Sequence, residues 1–155
     1  MKSLTYSFLI LVLIFFSCGS QGTGKTSGSK EETKLEAPVT VTNQDFMANK
    51  GIGPVKSVTL GALDETMAAE GKTIYDSFCT ACHNPTEKLI GPAPKGVLDR
   101  RSPEWVMNMI MNPMEMTEKD PIAKKLLEEA NGVPMIGQGI TEEQSRKILE
   151  YFRTL

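Results

Sequence analysis

The chain opens with an unbroken apolar run, Phe8 to Phe16, set between Lys2 and Ser17-Cys18-Gly19. Nine apolar residues are too few to cross a bilayer comfortably and match the hydrophobic region of a signal peptide. The stretch after it, GSQGTGKTSGSKEETKLEA, has no hydrophobic period and too little apolar surface to offset chain entropy. Period returns near Asp64. Met67, Gly71, Ile74, Tyr75 and Phe78 recur at helical spacing behind Asp64 as N-cap, which predicts a helix from about Asp64 to Phe78. Gly71 in that face costs about 1 kcal/mol of helix stability against Ala, a cost that a close approach by another backbone would justify. Ser102-Pro103-Glu104 predicts a second helix, with an N-cap, a proline in the first turn and an acid beside it, ending before Pro113. Asp120-Pro121 opens a third helix, ended by Asn131-Gly132. Thr141-Glu142-Glu143-Gln144 is a capping-box pattern ahead of a last helix with Ile148, Leu149, Phe152 and Leu155 as its apolar stripe. Only Pro54–Leu60 alternates enough to suggest a strand. The fold class is all-α, with long loops over 84–101 and 131–140.

Composition adds bounds. The 155 residues allow one modest domain, 40% hydrophobic residues allow a packed core, and a net charge of −2 offers no basic block for nucleic acid. The small residue before a lone cysteine at Ser17-Cys18 resembles the lipobox of bacterial lipoproteins, with Phe15 and Phe16 as a departure from it. That resemblance implies removal of residues 1–17, a lipid on Cys18 and a membrane-anchored periplasmic protein; an uncleaved anchor is the alternative. Residues 18–44 then form a flexible linker spanning roughly 25–30 Å, and 45–155 the folded domain.

The chemistry lies at Cys79-Thr80-Ala81-Cys82-His83, a C-x-x-C-H sequence that reads as covalent attachment of a c-type haem. Two thiols three residues apart at a helix end can each reach a vinyl group of one porphyrin, and the adjacent imidazole can face the iron. Other readings fit less well. A thioredoxin-type pair belongs near a βαβ pattern, which is absent. A structural zinc site needs four ligands, and after Cys18 the chain has only Cys79, Cys82 and His83. A Cys79–Cys82 disulfide would leave the single histidine without a role.

Residues 64–155 resemble a class I cytochrome c domain. Gly71-Lys72-Thr73-Ile74-Tyr75 resembles the family's first helix and Ile148-Leu149-Glu150-Tyr151-Phe152 its last. The resemblance implies that these helices cross at Gly71 with Tyr75 and Tyr151 alongside. It also implies one haem c, with Gly91-Pro92 forming the loop whose Pro92 carbonyl accepts the His83 imidazole N–H. The insert between Asn112 and Asn131, with its extra helix, and the Ile52–Leu60 segment lie outside the minimal pattern. In such domains an arginine or an indole N–H can meet a haem propionate, which makes Arg100, Arg101 and Trp105 candidates; a solvated charge pair and a core tryptophan is the alternative.

One histidine against nine methionines leaves methionine as the natural sixth ligand. Met107, Met109 and Met111 fall inside a predicted helix, where methionine usually fills gaps. The family's axial methionine sits in a loop just before the last helix, as Met135 does in Gly132-Val133-Pro134-Met135-Ile136-Gly137, although here proline precedes methionine. Met114 and Met116 are next. The expected metal ligands are His83 and Met135, and the expected function is single-electron transfer between redox proteins of the bacterial cell envelope, without enzymatic activity. The alternatives are a haem subunit dedicated to one membrane oxidoreductase complex, or a sensor or peroxidase with an open iron position.

Overall fold

The computed structural model describes residues 43–155. The expected signal peptide, Cys18 and nearly all of the expected linker lie outside the described residues. Among the described residues six helices follow one another: α1 (Asn43–Ala48), α2 (Glu65–Phe78), α3 (Pro103–Met111), α4 (Pro113–Lys119), α5 (Pro121–Glu129) and α6 (Glu142–Phe152), with a 3-10 turn at Val97–Asp99. None of them is long and apolar enough to cross a membrane.

The caps form where the side-chain chemistry calls for them. Asp64 accepts the Met67 N–H at 2.9 Å and Ser102 the Trp105 N–H at 3.1 Å. Thr141 and Gln144 close a reciprocal capping box. Helix α2 lies against α6, and α3 packs on α6 beside it. The crossing is at Gly71: a Cβ there would sit 1.9 Å from the Lys147 carbonyl oxygen, so only glycine lets the two backbones approach this closely. Tyr75 meets Tyr151 at 5.4 Å between ring centroids and Phe152 edge-on at 5.7 Å. Glu150, fully buried beside them, accepts the Asp64 N–H at 2.9 Å and pairs with Arg146 and Arg153.

Two sequence expectations need correction. Pro54–Leu60 forms no strand: its backbone pairs with side chains of α3 instead. Asn108 accepts the Val55 N–H at 3.0 Å and donates to the Val55 and Lys50 carbonyls at 2.9 Å, while Glu104 accepts the Val58 N–H at 3.0 Å. The segment is a strap that buries Val55 against α3. The insert holds two helices rather than one. Pro113 opens α4, and Asp120, held extended at φ −82° and ψ 125°, ends it and caps α5 through the Ile122 and Ala123 N–H groups.

Candidate haem site

The end of α2 sets the position of both thiols. The Cys79 N–H closes the last helical turn on the Tyr75 carbonyl at 2.8 Å, and the N–H groups of Cys82 and His83 both reach the Cys79 carbonyl, at 3.1 and 2.9 Å. Cys79-to-His83 is thus one further turn, which puts the two sulfurs and the imidazole on consecutive steps of a single curl of backbone. Tyr75 locks it by donating its hydroxyl to the His83 carbonyl at 3.0 Å. Burial pushes the Tyr75 phenol well above its ordinary value, so it remains a donor at neutral pH. No disulfide joins the two cysteines, which leaves both sulfurs available for attachment, and burial moves the Cys79 thiol up to about 11.

The opposite support comes from the loop after the curl. Its anchor is the Gly91 N–H, which donates to the Cys82 carbonyl at 2.9 Å. A Cβ on Gly91 would stand 2.2 Å from His83 Cε1, so glycine is required where the loop backbone lies against the imidazole. His83 Nδ1 is 2.9 Å from the Pro92 carbonyl oxygen. A carbonyl can only accept, so Nδ1 carries a proton, which in the neutral ring leaves the lone pair on Nε2. This is the contact expected from the Gly91-Pro92 resemblance, and among the described residues no hydrogen bond engages Nε2.

Cys79, Cys82, His83, Pro92 and Met135 all line one cavity of about 290 Å³. Phe78, Ile90, Val133 and Ile136 also line it, although each is more than two-fifths exposed. Large apolar side chains left open along the walls of one cavity are what a flat hydrophobic group would cover. Two thiols at one end, an imidazole with a free lone pair and a thioether complete a donor set that fits haem. A zinc site is not supported: among the described residues no three His, Cys, Asp or Glu side chains are arranged to hold a metal ion.

The other methionines separate clearly. Met116 is fully buried, and its sulfur accepts the Ile52 N–H at 2.9 Å. Met114 is 61% exposed and lines no part of the cavity. Met107 is core, as expected of a helix methionine, whereas Met109 reaches the cavity wall from α3. Helical spacing alone did not distinguish Met109 from its neighbours.

Arg100, Arg101 and Trp105 also line the cavity. The indole N–H is already committed to Asp120 at 3.2 Å, so it is not free for a carboxylate of a bound group. Arg100 is pinned by the carbonyls of Ala93, Lys95 and Gly96 at 2.7–3.0 Å. Arg101 is half-buried, and its guanidinium stands over the rings of Phe46 and Trp105 at 4.8 and 5.4 Å. Desolvation, with the Arg100 charge next to it, lowers its pKa, although at neutral pH it stays a cation.

Residues 68–155 match the family described as cytochrome c. A solved cytochrome c from Rhodothermus marinus is 43% identical, with a TM-score of 0.64 over 66% of this chain and 88% of that one. An engineered cytochrome c from the same organism, bound to a carbene intermediate, is 39% identical, with a TM-score of 0.62 over 73% of this chain and 96% of that one. No curated protein matches the chain. The chain belongs to the cytochrome c family. It is an electron-transfer haem protein with one covalently bound haem c.

Proposed function

We propose that this protein is a lipid-anchored monohaem electron carrier of the bacterial cell envelope, with haem on Cys79 and Cys82 and with His83 and Met135 as axial ligands. When bound, haem supplies an iron centre that gains and loses one electron. The chain's residues hold and tune it. Cys79 and Cys82 fix its position, so a change of iron charge cannot release it. Pro92 orients the His83 ring and holds a proton on Nδ1, so that Nε2 is the nitrogen left to face the iron. Met135 supplies a thioether, a soft donor that favours the ferrous state and raises the potential.

The observation that carries this reading is that a proton-fixed His83 and Met135 line the same apolar cavity. Were His83 and Met135 both to bind the iron, they would leave no open position for peroxide or a gas, which favours a carrier over an enzyme or sensor. The lipid and envelope location rest on the sequence around Cys18 and suit a carrier restricted to partners at one membrane.

The test uses protein matured with its haem. Ferrous protein is expected to bind carbon monoxide poorly, to turn over peroxide at no appreciable rate, and to fractionate with membranes unless Cys18 is changed to Ser. Rapid carbon monoxide binding or peroxide turnover would overturn the carrier reading. A membrane association unchanged in Cys18→Ser would overturn the lipid anchor.

A further inference from the structure

The family match begins at residue 68, yet a side chain well before it touches a residue that lines the haem cavity. Phe46, in α1, lies under the Arg101 guanidinium at 4.8 Å, and Arg101 lines the cavity beside Trp105. Arg101 is otherwise loosely held. Its one hydrogen bond among the described residues goes to the carbonyl of Arg100, and no described carboxylate is within ion-pair range of it. Arg100, by contrast, is fixed by three carbonyls. Two aromatic faces therefore do for Arg101 what hydrogen bonds do for Arg100. A cation over an aromatic face is attracted by the ring quadrupole, which is enough to decide between orientations of an otherwise loosely held side chain.

We propose that Phe46 is a positioning residue for the haem potential: together with Trp105 it holds the Arg101 charge at the cavity wall, where that charge favours the ferrous state. Ferric haem carries one positive charge more than ferrous haem, so a cation held nearby in a low-dielectric wall penalises the oxidised form. The residue directly after α1 anchors that end of the helix, and with it Phe46. Asn49 donates to Asp120 at 2.7 Å, and its carbonyl accepts the Ser102 hydroxyl at 2.6 Å, which joins the end of α1 to the start of α3 and of α5. The segment that connects the domain to its linker thereby contributes to the redox property of the site. This inference rests on the carrier reading above.

The experiment measures the midpoint potential of haem-loaded Phe46→Leu, Arg101→Gln and the double variant, with thermal unfolding as a check on folding. Leu keeps apolar bulk and removes the ring face, so Phe46→Leu should unfold near the unmodified protein's temperature. Both single variants should shift the one-electron equilibrium toward the ferric form, Arg101→Gln by about threefold or more and Phe46→Leu by a part of that. In the double variant Phe46→Leu should add nothing, because it acts through Arg101. An unchanged potential in Phe46→Leu, or additive shifts in the double variant, would overturn the proposal. Should Arg101→Gln leave the potential alone while Met135→Ala lowers it, the positioning role fails and the carrier reading stands. A haem that leaves on acid–acetone extraction would remove the carrier reading itself.

Discussion

Replacing Gly71 by Ala sets two effects against each other, and the structure decides the sign. In an isolated helix the change stabilises by about 1 kcal/mol. At the α2–α6 crossing the new Cβ would meet the Lys147 carbonyl oxygen at 1.9 Å, the Lys147 carbonyl carbon at 2.4 Å and the Ile148 nitrogen at 2.9 Å. These are backbone atoms inside a helix and cannot rotate aside. The helices must separate by about 1 Å at the crossing, and a gap of that size forfeits roughly a quarter to a half of each dispersion contact it opens. Overpacking typically costs about 1–3 kcal/mol, and a clash with rigid backbone belongs at or above the top of that range. Net destabilisation of roughly 2–3 kcal/mol should lower the Tm of the haem-loaded protein by about 10–20 °C, read by far-ultraviolet circular dichroism. Gly61→Ala is the control. Gly61 is exposed, has open space around its missing Cβ, and should change stability by no more than about 0.5 kcal/mol. A Gly71→Ala protein that melts at or above the unmodified temperature would refute the crossing.

Acid–acetone extraction of denatured protein should leave the haem on the chain, and the double Cys79→Ser, Cys82→Ser variant should lose it. Glu150→Gln should destabilise by about 1–3 kcal/mol at neutral pH, since it leaves Arg146 and Arg153 without their buried partner. Burial pushes the Glu150 carboxyl up, but the Arg146 hydrogen bond, the Asp64 N–H and the two arginine charges outweigh it and hold the carboxyl below its ordinary 4.5. Its stabilisation is therefore complete above that value and lost as pH falls through the lower folded value. Acid denaturation curves of the two proteins should converge there, and a gap unchanged with pH would contradict the assignment. Mass spectrometry of the mature N-terminus should find acyl mass on Cys18, and an intact Met1 would reject the lipid.

Helix starts were the most legible feature of the sequence, because Asp64, Ser102, Asp120 and Thr141 each carry a capping oxygen whose partner is only two or three residues away. The Gly71 crossing could be expected because a glycine on an apolar helix face has a cost that something must offset. The haem curl was legible for a similar reason: Cys79, Cys82 and His83 are close in the chain, and their chemistry is unusual. What sequence reading missed depends on distant partners. Phe46 sits next to a stretch with no hydrophobic period, and nothing local points it toward Arg101. The strap looks strand-like because its alternation buries Val55, but the groups pairing with its backbone are Asn108 and Glu104, some fifty residues away. Met109 and Met107 have the same local pattern, and only the packing of α3 turns one to the cavity and the other to the core.

The second axial ligand decides between a closed electron carrier and an open haem site. Ferric protein should show the weak red charge-transfer band of methionine-ligated iron. Met135→Ala should abolish that band, open the ferrous protein to carbon monoxide and lower the potential. Met109→Ala, which alters the other cavity-lining methionine, should retain the band. A band that survives in Met135→Ala, or disappears in Met109→Ala, would contradict the assignment of Met135.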